Sequence, residues 1–147
     1  MKRPARARKA GTLVLDASVA LAWCFEDEHA PYADSVARSF PAFTAIVPAL
    51  WRVEVGNAFL TAERRRRSAP TDTQTWLRFL GSLPIRTDDA TPARAWSDAI
   101  RLARSHDLSL YDACYLELAL RRGVPLATLD EDLETAADAV GVRRFRA

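Results

Sequence analysis

The stretch "TLVLDASVAL", residues 12–21, sets one acid, Asp16, between a run of apolar strand formers and residues that suit a helix. Residues 12–16 read as a strand buried on both faces, since a short, continuously apolar run rich in branched side chains fits that environment. Ser18 to Phe25 read as the helix that follows, stopped by the acids of "EDEHAP" and by Pro31. A strand that passes at once into a helix is half of a β–α–β unit.

The same pattern returns along the chain. "TAIVP" (44–48), "PIRTD" (84–88) and "PLATLD" (125–130) read as further strands, and "VRRFR" (142–146) as a closing edge strand. Helices are expected over residues 32–40, over "ALWRVEVGNAFLTAERRRR" (49–67), from Thr73 to Leu83, over 91–107, over "LYDACYLELALRRG" (110–123) and over "DEDLETAADAVG" (130–141). Local chemistry supports the ends: Thr91 is the expected N-cap with Pro92 at the first helical position, and Gly123 closes a helix. Arg64 to Arg67 read as a solvated helix C-terminus, where the dipole favours cations. Strands alternating with helices imply right-handed crossovers and an α/β fold: a three-layer α/β/α sandwich with a mostly parallel central sheet.

At 147 residues the chain is long enough for one compact unit with a real core. Its 49% hydrophobic and 27% charged content is ordinary for a globular protein. The net charge of +2 is unevenly placed, because Lys2, Arg3, Arg6, Arg8 and Lys9 fall in a basic arm, residues 1–11, ahead of a body at 12–147 that holds more acids than bases. Such an arm is expected to be disordered and to add salt-sensitive affinity for nucleic acid. A secretory signal is not expected, since only Leu13, Val14 and Leu15 run uninterrupted before Asp16, short of the roughly 7–15 apolar residues a signal core needs. No membrane span is expected either, and Cys24 and Cys114 read as free buried thiols of a cytoplasmic protein.

Four acids stand in apolar surroundings: Asp16, Glu54 in "VPALWRVEVGNAFL", Asp112 in "LSLYDACYLELAL" and Asp130 in "PLATLDEDLETAA". Asp16 and Asp130 fall at the carboxyl ends of strands, where sheets of this type gather functional groups. Glu54 shares a helical stripe with Leu50, Val53, Asn57 and Leu60, and Asp112 shares one with Tyr115, Leu116 and Ala119. Each acid has a structural alternative. Asp16 and Asp130 suit helix N-caps, and Asp112 suits a capping box with Ser109. A cluster of carboxylates without matching cations would instead call for a hard ion, and all-oxygen ligation suits Mg²⁺ or Mn²⁺. Paired His or Cys spacing for zinc and a glycine-rich phosphate loop are both missing. Metal-assisted displacement at phosphorus remains.

"VLDAS", "VPALWRVEVGNAF", "LSLYDACYLELAL" and "LATLDEDLETAA", in that order over residues 13–140, together resemble the PIN-domain ribonucleases, and specifically VapC-type toxins of bacterial toxin–antitoxin pairs. The resemblance implies that Asp16, Glu54, Asp112 and Asp130 form an acidic catalytic metal site, with Asp132 as an auxiliary ligand and Ser18, Asn57 and Thr128 as polar neighbours. It implies a Mg²⁺-dependent (or Mn²⁺-dependent) endoribonuclease, a homodimer, and inhibition by a cognate VapB-type antitoxin. Trp76 and Phe79 are candidates for an exposed dimer patch. A haloacid dehalogenase-type phosphatase would need a second Asp where Ser18 stands, and a receiver domain would need a lysine beyond Lys9. The rival that survives is a non-catalytic PIN-like module that binds RNA or protein.

Overall fold

The computed structural model describes residues 11–147; the basic arm, apart from Gly11, lies outside the described residues. Strand β1 spans Gly11–Leu15 and begins one residue before the expected start. Helices α1 (Ala17–Cys24) and α2 (Pro31–Arg38) lead to β2 (Phe43–Val47), and α3 (Trp51–Arg64) and α4 (Pro70–Gly81) lead to β3 (Ile85–Thr87). Then come α5 (Thr91–Arg94), a π-helical segment at Ala95–Ala99, α6 (Ile100–His106), α7 (Leu110–Arg122), β4 (Leu126–Ala127) and α8 (Glu131–Ala139).

The strands form one parallel sheet in the order β3-β2-β1-β4, flanked by helices in the expected α/β/α arrangement. β1 is central, and Leu13, Val14 and Leu15 are fully buried, as a strand covered on both faces requires. Gly11 pairs with Phe43, whose ring lies where a β-carbon on Gly11 would have to go. A side chain there would displace the ring, which packs edge-on against Phe145 with centroids 5.1 Å apart.

Helix α1 packs on α2 and α3, while α7 packs on β1 and β4 and on α5, α6 and α8. Residues Ala113 to Ala119 of α7 are all buried, so this helix is enclosed on every side. Glu117 lies in that run.

Several expectations are corrected. "VRRFR" makes only an isolated bridge, Arg144 to Leu126, because β4 itself is two residues long. Thr91 is not an N-cap but the first helical residue after Ala90. Its hydroxyl is taken instead by the buried Asp88, to which it donates at 3.0 Å, while accepting the Ala49 N–H at 3.1 Å. The helix expected over 91–107 is interrupted by the π-helical segment. Trp76 is not a free surface residue: it packs on Phe25 and Phe59 at centroid distances of 5.0 and 5.2 Å, because α4 folds back over α1 and α3. Phe79 is exposed but leans edge-on against Trp23. Cys24 and Cys114 are free and buried as expected. Among the described residues no helix is long and apolar enough to cross a membrane.

Candidate active site

Chain order and parallel pairing bring the carboxyl ends of β1 and β4 side by side, since Leu15 pairs with Ala127 and Asp16 N–H donates to the Ala127 carbonyl at 2.9 Å. Asp16 follows β1 directly and is 5% exposed. It stands at the N-cap position of α1 but makes no side-chain cap. Its Oδ2 instead accepts hydrogen bonds from Ser18 Oγ at 2.5 Å and Thr128 Oγ1 at 2.9 Å.

Those two hydroxyls join the surrounding backbone. Ser18 Oγ accepts the Leu129 N–H at 3.0 Å, and Thr128 Oγ1 accepts the Asp130 N–H at 3.0 Å. Asp16 is therefore clamped by groups from α1 and from the segment after β4, and the same clamp fixes the start of α8. Asp130 does cap: its Oδ1 accepts the Leu133 N–H at 2.9 Å. One oxygen of each of these acids is thus engaged, and the Ser18 backbone N–H also stands against the Asp16 carboxylate.

Glu54 lies in the first turn of α3, half-buried, and Tyr115 of α7 donates its hydroxyl to Glu54 Oε1 at 3.1 Å. Asp112 lies in the first turn of α7, one turn before Tyr115. Ser109 caps that helix by accepting the Asp112 N–H at 3.1 Å, and its hydroxyl also stands against the Asp112 carboxylate.

The electrostatics bind these acids into one group. Burial pushes the Glu54 carboxyl up to about 7, opposed by the Tyr115 hydrogen bond and reinforced by Asp16 and Asp112. Burial likewise pushes Asp112 up to about 6, and Asp16, Asp130 and Asp132 add to the rise. Asp16 is raised chiefly by burial, against the Ser18 and Thr128 hydrogen bonds, with Asp130 adding repulsion. No ion pair among the described residues involves Asp16, Glu54, Asp112 or Asp130. Nor do any three acid, histidine or cysteine side chains among the described residues stand close enough to form a ready-made metal-holding group.

Asp132 is exposed on the first turn of α8 and reaches the group only through its charge on Asp112. Asn57 is exposed on α3 and makes no side-chain hydrogen bond among the described residues, whereas Ser18 and Thr128 are integral to the clamp. The role of Tyr115 in holding Glu54 is the contact that sequence reasoning missed; its only sequence signal is the three-residue spacing from Asp112 on one helix face.

A second set of buried acids has a different character. Asp88, 2% exposed, and Glu117, 4% exposed, both pair with Arg121: Nη2 to Asp88 Oδ2 at 2.7 Å and Nε to Glu117 Oε1 at 2.8 Å. These charges are compensated, so they hold β3, α5 and α7 together and do not invite an ion. A cleft of about 1070 Å³ runs from Gly11, Thr12 and Phe43 past Arg143 to Arg146 and reaches Thr128 on the approach to α8. Its acids are Glu131, Glu134 and Asp138; Asp16, Glu54, Asp112 and Asp130 do not line it.

Residues 13–139 match the PIN domain family, and the chain belongs to it. Among solved structures, it is similar to PAE2754 from Pyrobaculum aerophilum (23% identity, TM-score 0.62, 86% of each chain covered). It is also similar to VapC20 from Mycobacterium tuberculosis, a sarcin–ricin loop cleaving toxin (15% identity, TM-score 0.62, 92% of this chain and 99% of that one). A toxin–antitoxin complex from Klebsiella pneumoniae is a third (16% identity, TM-score 0.57, 82% and 88% covered). At these identities the likeness is one of fold. No curated protein sequence matches the chain.

Proposed function

We propose that the chain is a metal-dependent endoribonuclease that hydrolyses RNA phosphodiester bonds as the toxin of a toxin–antitoxin pair. The observation that carries the reading is a buried Asp16 electrostatically coupled to Glu54, Asp112 and Asp130 without a counter-cation. Such a set is costly to keep unless something neutralises it. Its donors fit a hard divalent ion: all are carboxylate oxygens, and the group bears excess negative charge.

Asp16, Glu54, Asp112 and Asp130 would hold Mg²⁺ or Mn²⁺, with Asp132 at the rim. When bound, the ion neutralises charge on the attacked phosphate and acidifies the attacking water. The chain's own residues preorganise this. Ser18 and Thr128 fix Asp16, the α8 cap fixes Asp130, and Tyr115 of α7 holds Glu54 of α3. The solved relatives support the biological setting, since one is a toxin that cleaves an RNA loop and another is a toxin–antitoxin complex. The partners proposed are an RNA substrate, a VapB-type antitoxin and a second copy of this chain, and the free thiols Cys24 and Cys114 suit the cytoplasm.

The test is incubation of the purified protein with labelled structured RNAs in Mg²⁺ or Mn²⁺, then in chelator, alongside Asp16→Asn and Asp112→Asn. Cleavage is expected only for the wild type with metal. Cutting that persists in chelator or in both variants overturns the reading, and binding without turnover leaves the non-catalytic module in its place.

A further inference from the structure

Large apolar side chains are exposed at seven positions among the described residues, and two of them, Val53 and Tyr111, immediately precede acids of the cluster, Glu54 and Asp112. Tyr111 is 64% exposed in the first turn of α7. It precedes Tyr115 by one helical turn, about 5–6 Å along the axis, on the same helix face. The Tyr115 hydroxyl reaches Glu54, so that face of α7 turns toward the acidic group, and Tyr111 stands beside that group, next to Asp112 in the first turn. Its ring makes no aromatic pair or side-chain hydrogen bond within the described chain.

A substrate phosphate approaching the acidic group meets no side-chain cation among these acids, so beyond the proposed ion they add nothing that holds the strand there. A charge-neutral contact beside them would add affinity that does not depend on salt. We infer that Tyr111 is a stacking platform for the nucleobase next to the scissile phosphate, a specificity and positioning residue for single-stranded RNA. This rests on the nuclease reading above. An aromatic face accepts any base, but purines offer it more surface, so the platform favours a purine at that position.

The experiment compares the wild type, Tyr111→Ala, Tyr111→Phe and, as a control at the far end of the same helix, Leu120→Ala. Binding of fluorescein-labelled oligo(A) and oligo(U) is followed by anisotropy in Ca²⁺, at low and at high salt, and cleavage of a labelled structured RNA is followed in Mg²⁺. Tyr111→Ala is expected to weaken binding about tenfold, by the same factor at both salts, more for oligo(A) than for oligo(U), raising KM more than it lowers kcat. Tyr111→Phe restores the wild-type values, and Leu120→Ala never departs from them. If the wild type binds and cuts RNA while Tyr111→Ala does both equally well, the platform is overturned, the nuclease reading stands, and the exposed ring is left for a protein partner. If the wild type neither binds nor cuts RNA, the nuclease reading fails and the platform fails with it. A loss seen only at low salt would mark an electrostatic effect and also overturns the stacking role.

Discussion

Asp16 and Asp130 occupy equivalent places, each at the junction of a strand and a helix, and the sequence offers both as caps. Only Asp130 makes a side-chain cap; the Asp16 carboxylate is held chiefly by two hydroxyls that reach it from either side. That difference was not legible locally, because Thr128 lies 112 positions away in the chain. The acids that were legible have a measurable signature. Between the ordinary carboxyl range and their raised values, Glu54 and Asp112 hold protons in the folded chain that the unfolded chain has released. Their contribution is therefore fully present below the unfolded values and is lost as pH rises through about 6 to 7. Asp88 acts in the opposite sense, since the Arg121 guanidinium lowers it, but its contribution is lost only below the ordinary carboxyl range. The metal-free protein is expected to melt higher at about pH 5 than at about pH 7.5, and Glu54→Gln is expected to flatten that slope. Calorimetry in chelator across this range checks it; a wild-type melting point that climbs from pH 5 to 7.5 contradicts the shared burial of these acids. Divalent ions should reverse the trend, because protons compete for the same oxygens.

At the scale of elements, helix α7 shows how far apolar context misleads. Glu117 lies in as apolar a stretch as Asp112, "LSLYDACYLELAL", and is more deeply buried, yet it belongs to an ion-paired network. What separates the two is Arg121, one turn further along, whose side chain also reaches Asp88 after β3. Spacing made the Glu117–Arg121 pair available from sequence, but Asp88 joins only through the tertiary packing of α5 on α7. The same packing takes the Thr91 hydroxyl from its expected capping role. Strand and helix identities were legible because burial period and turn chemistry agree along most of the chain, whereas the π-helical insert at Ala95–Ala99 has no such local signal. Replacing Arg121 with Met keeps length and apolar bulk but leaves Asp88 and Glu117 buried without a partner. A loss of about 3–5 kcal/mol is expected from urea unfolding, with partial recovery as pH is lowered and the orphaned acids protonate. A loss below about 1 kcal/mol would mean that the network is solvated like a surface pair.

For the whole molecule, the parallel sheet is what turns scattered acids into one group. Placing β1 beside β4 sets Asp16 and the Asp130 segment together, and α3 and α7 bring Glu54 and Asp112 to the same edge. This much was readable from strand–helix alternation, because a parallel sheet directs all its carboxyl ends one way. The consequence is a fold that is stressed by its own site. An ion that relieves this repulsion at a hundred times its dissociation constant adds about 2.7 kcal/mol, or about 5–10 °C in melting temperature for a chain of this size. Asn at position 16 keeps the shape and can still accept from Ser18 and Thr128, while removing one charge from the cluster. Asp16→Asn is therefore expected to melt no lower than wild type in chelator and to gain less than half of the wild-type shift in Mn²⁺. A purely structural Asp16 predicts an unchanged melting point in chelator, since Asn keeps its hydrogen bonds, and the full wild-type shift in Mn²⁺, so the Mn²⁺ shift is what separates the two readings. An equal Mn²⁺ shift in the two proteins would remove Asp16 from the metal site, whatever their activities.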